Sequence, residues 1–339
     1  MEPGRTIIGV DIGGTKVAAA LLRGRLPKPG ARTLAEVETP AVLERFTAPT
    51  DGSSAEACLR GIEEALARLV ASAGTVDAIG IGVASCVDYA AGRVVHSVNL
   101  PLGDVPLRDE LERAFGVPVA LDNDATAATV GEHAYGAGIG VREMLMLTLG
   151  TGVGGGIICG GRPYRGFSGA AAELGHVTLD LDGPHCPADC PNRGCLEAYV
   201  AGPAMGAAAR AAAVAEPGSG LGLALAAGET VDGPLLSRLG LAGDPVAVEV
   251  LARIGALLGA GLTTLVNIFN PELIVIGGGA AESGELLLGP ARRVIAERAL
   301  PPARDQVRVT GAALGPDAGL MGAAVLALAK LRGGEPGSS

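Results

Sequence analysis

One histidine and three cysteines, His176, Cys186, Cys190 and Cys195, fall within twenty residues of this chain, with Glu173 and Glu197 on either side. Three thiolates and one imidazole complete a tetrahedral set for Zn²⁺ with no position left for water, so such a site would be structural. The segment is rich in Gly, Pro and Asp, the composition of a folded loop. A closed loop of this kind would hold the two glutamates near each other, and carboxylates are what a polyhydroxyl ligand needs to meet its hydroxyl donors. Closely spaced cysteines are alternatively disulfide partners or reactive thiols, a pattern of secreted chains. The start of the sequence, MEPGRTIIGVDIGG, carries neither a basic nor an apolar signal region, which favours zinc and a cytoplasmic setting.

A second chemical candidate is Asp122-Asn123-Asp124, between an apolar run and an alanine-rich stretch. At a strand end just before a helix, one of these residues can cap the helix while another points outward. A phosphoryl-transfer enzyme needs one such carboxylate to align an acceptor hydroxyl and take its proton. Three glycine-rich stretches, 11–16, 150–156 and 277–279, each come after an apolar run. Turns of this composition let backbone N–H groups approach phosphate oxygens without a side chain in the way. Gly150-x-Gly152-x-x-Gly155 matches the dinucleotide fingerprint in letters, but that fingerprint must open a helix, and Ile157-Ile158-Cys159 is strand-like. Gly13-Gly14-Thr15-Lys16 lacks the spacing of a P-loop. Each turn taken alone reads as a plain tight hairpin. Together, with Thr15 in one and Thr151 in the other, they fit two lobes that grip a nucleotide's phosphates, with Asp11 placed to hold a hydrated Mg²⁺.

The elements that must position these residues alternate strand and helix, which predicts an α/β protein with ligands at the strand ends. Thr6–Val10 and Val17–Leu22 read as a hairpin closed by the first glycine turn, and residues 23–35 as a loop. Ser53 or Ser54 caps a helix that runs to about Ala73. Val76–Val83 and Val117–Leu121 read as buried strands, with Leu107–Phe115 a short amphipathic helix and Ala125–Ala137 a longer one. Met144–Leu149 and Ile157–Cys159 flank the second glycine turn and repeat the opening pattern, which implies two related lobes. Helices come next around 203–214 and 246–269, then the strand Leu273–Ile276 and helices at 284–299 and 317–332. The tail, 333–339, is disordered by composition.

Composition narrows the partners. A net charge of −10 argues against nucleic acid and anionic membrane. Aromatic residues make up 2% of the chain and Trp is absent, so base-stacking platforms are not supplied and any sugar recognition falls to Asn, Asp, Glu and His. Val248–Phe269 is nearly all apolar and about as long as a membrane span. Arg253, three glycines and a direct run into NPELIVIGGG favour a core helix instead.

Six motifs, GVDIGGTK (9–16), LDNDATAATVGE (121–132), LTLGTGVGGGII (147–158), GxxxELGH (169–176), CPNRGCLE (190–197) and NPELIVIGGG (270–279), cover nearly the whole chain. With them the sequence resembles the ROK family of repressors and sugar kinases, and within it the bacterial ATP-dependent glucokinases. The resemblance implies an actin-like (ribonuclease H-like) two-lobed ATPase fold with an inserted zinc-binding loop. Residues 1–123 with 317–332 would form the small lobe and 124–316 the large one. Asp124 would be the general base for the sugar's 6-hydroxyl. Asn99, Asn123, Asp124, Glu173, His176 and Glu197 match sugar-binding positions, and Ser85 lies beside the same pocket. His176 would bind zinc through one ring nitrogen and offer the other to the sugar. Asp11, Gly13, Gly14, Thr15, Lys16, Gly150, Thr151 and Gly152 match the Mg²⁺ and phosphate positions of ATP, and Gly278 and Gly279 its nucleoside end.

Three departures stand out. Family members have C-x-C where Cys186 and Cys190 are three residues apart, which leaves His185 a rival to Cys186 as ligand. The usual Pro-Gly is Ala84-Ser85 here, and the usual Ala-Pro before the sugar-binding Asn is Ser97-Val98. The implied function is ATP-dependent phosphorylation of glucose to glucose 6-phosphate by a homodimer or homotetramer. Kinases of N-acylmannosamine, fructose or allose are the alternatives within that chemistry. A sugar-sensing regulator is disfavoured by the ten residues before Asp11, too few for a helix-turn-helix, and a filament or scaffold protein by having no need of Asp124 or Glu173.

Overall fold

The structure, a computed structural model, describes residues 4–28, 30–187 and 190–334. Residues 335–339 of the tail expected to be disordered lie outside the described residues. The chain opens with strands β1 (Arg5–Ile12), β2 (Lys16–Gly24), β3 (Ala41–Pro49), β4 (Ala78–Val83), β5 (Cys86–Asp88), β6 (Arg93–His96) and β7 (Val119–Asn123). Five of these form a sheet of order β3-β2-β1-β4-β7, and β5 and β6 pair separately. Later strands are β8 (Met144–Leu149), β9 (Val153–Cys159), β10 (Arg162–Pro163), β11 (Leu273–Gly277) and β12 (Arg308–Gly311), in the order β10-β9-β8-β11-β12. Both sheets therefore place their own strands in the sequence third, second, first, fourth, fifth. Each begins with an antiparallel pair closed by a glycine turn, so the repeat read from the sequence is a repeat of topology.

β1, β4 and β7 run parallel, with Gly82 opposite Asp122 and Val83 opposite Asn123. Their buried runs, such as Ile79, Ile81 and Val83, have the continuous apolar pattern of strands covered on both faces. β3 lies at one edge of the sheet, and its alternation of exposed and half-buried residues includes Glu44 and Arg45, charges that blunt an edge against further pairing. The sequence reading assigned no strand there.

By packing, the chain divides into two compact units: Met1–Met144 with Gly156–Ala172 and Ala313–Ser339, and Leu145–Gly155 with Glu173–Ala312. In the first unit the helix Ala318–Leu331 packs against β1, β4, β7 and the helix Asp124–Tyr135. Backbones meet directly here. A Cβ at Gly80 would fall on the carbonyl of Ala323, and one at Gly322 on that of Ala127, so the small residues in this layer are a packing requirement. Buried Glu132 accepts the backbone N–H groups of Ala137, Ala313 and Leu314, which secures the entry to that last helix. These contacts group the helix Asp124–Tyr135 with the first unit, whereas the division at 123/124 placed it with the second.

In the second unit the helix Pro245–Phe269, capped by Asp244, is long and apolar enough to span a membrane. It packs along the helix Glu285–Arg298 and buries Leu251, Ile254, Leu258 and Leu262, as a core helix does.

Candidate active site

β7 ends in Asp122-Asn123, and the next helix begins at Asp124 because Asn123 caps it. The Asn123 Oδ1 accepts the N–H of Thr126 at 3.0 Å. Its Nδ2 donates to Asp124 Oδ1 at 3.0 Å and to the Ser85 carbonyl at 3.2 Å. The N–H of Ala125 donates to the same Asp124 oxygen at 2.8 Å. Asp124 is thus fixed at a helix N-terminus and still has lone pairs for an incoming hydroxyl. Burial pushes its carboxyl above the usual carboxylate range, against the pull of those hydrogen bonds. Asp11, at the end of β1, is raised by burial first and by the Asp124 charge second, up to about 6, with Lys16 drawing it down.

The turn after Asp11 is closed by the N–H of Gly13 donating to the Lys16 carbonyl at 2.9 Å, and Gly14, Thr15 and Lys16 are exposed. Gly14 lies against Asn99, where an added Cβ would come within 3.0 Å of the Asn99 Cβ. Ser85 is buried, and its hydroxyl donates to Ser97 Oγ at 2.7 Å. Asp11, Gly14, Ser85, Asn99, Asn123 and Asp124 thus form one group in the first unit. Sequence reasoning placed Asp122 among the candidate carboxylates but did not single out Arg165. Buried Asp122 accepts the Asn123 N–H at 2.9 Å through Oδ1, and its Oδ2 lies 2.9 Å from Arg165 Nε and 2.8 Å from Nη2. The guanidinium stacks 3.7 Å from the centre of the Tyr89 ring. No spacing in the sequence signals a pair so far apart.

The second unit gathers the remaining residues. Ligand atoms of His176, Cys186, Cys190 and Cys195 all lie within 4.8 Å of one another. Tetrahedral zinc with thiolate bonds near 2.3 Å puts its ligands about 3.8 Å apart, so the donor set fits the ion. His176 Nδ1 lies 3.4 Å from Cys186 Sγ, while Nε2 is 3.8 Å from Glu173 Oε2. The ring therefore turns one nitrogen to the sulfurs and the other to an exposed carboxylate. Burial, then the sulfurs of Cys195 and Cys190, push the Cys186 thiol up, and burial also raises Cys195. A bound dication removes that penalty by stabilising the thiolates. The cluster contains Cys186 and not His185, whose Nε2 lies 3.0 Å from Arg193 Nη2. Backbone pairing of Thr178 with Cys195 and His185 with Arg193 braces the loop.

Buried Glu197 accepts the N–H of Val153 at 2.6 Å through Oε2, and its Oε1 is 3.9 Å from Cys186 Sγ. A Cβ on Gly152 would meet Glu197 Oε2 at 2.7 Å, which explains glycine there. Glu197 thus holds the second glycine turn against the metal loop, a contact the sequence did not show. Gly150 and Thr151 line a cavity of about 640 Å³ with Gly202, Pro203, Arg210, Gly279 and Glu282. Gly278 sits at φ 80° with its Cα face on the Leu149 carbonyl, where a side chain would clash. The cavity joins a glycine turn to the strand end at Gly278-Gly279, and exposed backbone in such turns suits phosphate oxygens. Gly155 lies inside the strand β9 and opens no helix, so the dinucleotide fingerprint does not apply.

Comparison with known proteins places this geometry. A profile of the ROK family matches residues 7–330. A glucokinase of Streptomyces coelicolor is 37% identical over 328 residues, which are 94% of this chain and 96% of that protein. The crystal structure of a ROK family glucokinase from Streptomyces griseus in complex with glucose and AMPPNP has 36% sequence identity and a TM-score of 0.79, over 95% of this chain and 99% of the other. A ROK hexokinase from Thermus thermophilus has 35% identity and a TM-score of 0.73, over 97% of this chain and 100% of the other.

Proposed function

The chain belongs to the ROK family, and we propose that it transfers the γ-phosphoryl group of ATP to the 6-hydroxyl of a hexose, with glucose the preferred acceptor. Its two sheets of repeated order are those of the actin-like ATPase fold. The observation that carries the reading is Asp124: a carboxylate fixed by Asn123 and the Ala125 N–H, with its proton affinity raised by burial. A base of raised proton affinity is matched to accepting a hydroxyl proton as the oxygen attacks phosphorus. The complex of the Streptomyces griseus enzyme with glucose and AMPPNP supports sugar and nucleotide as the two ligands.

Within the site, Asn123 orients Asp124, and Asn99 and Asn123 would hydrogen-bond the sugar, as would Glu173 and the Nε2 of His176. A pocket that reads hydroxyls with such groups rejects analogues strongly, because a missing hydroxyl leaves buried polar atoms unpaired. Glu197 would serve the sugar through Oε1 while its Oε2 holds Val153. The nucleoside end of ATP would occupy the cavity at Gly278 and Gly279, with Gly150, Thr151, Gly152, Gly13, Gly14, Thr15 and Lys16 meeting its phosphates. Asp11 is the carboxylate that would hold Mg²⁺ through water, and that ion, when bound, neutralises phosphate charge. His176, Cys186, Cys190 and Cys195 would hold structural zinc, which supplies folding free energy and fixes the imidazole. The protein would act in the cytoplasm, where ATP is available, as a homodimer or homotetramer.

Asp124→Ala tests the assignment. Turnover should fall by at least about a hundred-fold, the contribution of a positioned base, while glucose still protects the protein against thermal unfolding. Loss of glucose binding with full rate per bound sugar would overturn the role.

A further inference from the structure

The two departures beside the expected sugar pocket, Ala84-Ser85 and Ser97-Val98, are joined in the structure. Ser85 Oγ donates to Ser97 Oγ at 2.7 Å, and Ser97 Oγ accepts the N–H of Leu100 at 3.2 Å. Ser85 is 7% exposed and Ser97 half-buried, so the hydroxyl pair is partly shielded from solvent, and the exposed Val98 and Asn99 are carried between Ser97 and Leu100. On its other side the Ser85 carbonyl accepts Asn123 Nδ2, which also donates to Asp124 Oδ1. One line of hydrogen bonds therefore runs from the backbone at Leu100 to the carboxylate at Asp124.

We propose that the Ser85 and Ser97 hydroxyls act as a latch that fixes the Asn99 loop relative to Asn123 and Asp124, and so sets sugar affinity. They are positioning residues: neither hydroxyl needs to touch the sugar. The inference rests on the sugar-kinase reading of this site. Its physical basis is the exchange of one stiffening device for another. A proline at 98 would fix φ there without any partner, whereas Val98 leaves that segment freer; Ala84 is tied by its N–H to the Ile12 carbonyl at 2.9 Å. A partly buried hydroxyl pair supplies the constraint by bonding one segment to the other, and with Ser85 buried it is costly to leave half-made. Gly14, packed against Asn99, limits the loop from the opposite side.

The test is a double-mutant cycle, Ser85→Ala, Ser97→Ala and both together, with initial rates measured against glucose and against ATP. Each single change should raise the KM for glucose by about five-fold, the worth of one hydrogen bond, and leave the KM for ATP within two-fold. The double variant should be no worse than either single one, because the latch is already open. Val98→Pro in the Ser97→Ala background, which restrains the Asn99 segment through the chain itself, should bring the KM for glucose back towards its original value. Independent, multiplicative losses in the cycle, or equal rises for glucose and ATP, would overturn the latch. Failure of the unmodified protein to phosphorylate any sugar would instead fault the functional reading, so the two failures are distinct.

Discussion

Arg165→Met should be among the most damaging single substitutions outside the ligand-contacting residues. The guanidinium is 10% exposed and its partner carboxylate on Asp122 4% exposed, with Nε 2.9 Å and Nη2 2.8 Å from one oxygen. Methionine keeps most of the side-chain volume but removes the charge, leaving Asp122 buried and uncompensated. Breaking a buried pair in this way costs about 3–5 kcal/mol, and loss of the stack on Tyr89 adds about 1 kcal/mol. Urea denaturation of the ligand-free protein, followed by circular dichroism, measures the cost. Asp122→Asn supplies the control, since the amide can still accept the Asn123 N–H through its oxygen. The double variant Arg165→Met/Asp122→Asn should be more stable than Arg165→Met alone, because no unpaired charge remains. A loss below about 1 kcal/mol for Arg165→Met, or additive costs in the double variant, would refute the burial argument.

Removal of metal and a change of pH probe the two ends of the molecule's chemistry. Chelation should release one zinc per chain, lower the melting temperature and abolish glucose affinity, because a structural ion contributes folding free energy directly; an unchanged melting temperature would count against the site. Asp11 is raised from 3.8 to about 6 in the fold, so it favours folding below pH 4 and that contribution is lost as pH rises through about 6. Asp11→Asn should therefore make the ligand-free protein more stable at pH 7, by up to about 3 kcal/mol, and leave stability at pH 3.5 little changed. Equal effects at both pH values would contradict the burial of that carboxyl.

Much of this site could be read locally. The candidate metal ligands lie within one loop, and the hairpins arise from apolar runs around glycine turns, so short-range pattern sufficed for both. Asn123 and Asp124 were legible because capping chemistry fixes what stands at a strand-to-helix junction. The edge strand β3 was not, since AVLERFTAP shows neither steady apolar alternation nor a buried run. The short helices Gly220–Ala226 and Gly233–Leu241 escaped for want of length. β9 begins at Val153, inside the glycine stretch, because its first residues pair with little help from side chains. Contacts across long separations were invisible in principle: Arg165 to Asp122, Ser85 to Ser97, and Glu197 to the Val153 N–H. The last of these changes how Glu197 is understood, from a residue expected only at the sugar to one that also holds a backbone turn.

The most direct measurement is ADP release with Mg-ATP across glucose, mannose, fructose, allose, N-acetylglucosamine and N-acetylmannosamine, with the phosphorylated carbon of the product identified. Glucose should give the highest kcat/KM by about ten-fold or more, as hydroxyl readout demands, and the product should be glucose 6-phosphate. No ADP release with any of the six, or a product phosphorylated elsewhere than at the 6-hydroxyl, would contradict the assignment of Asp124 and of the reaction it serves.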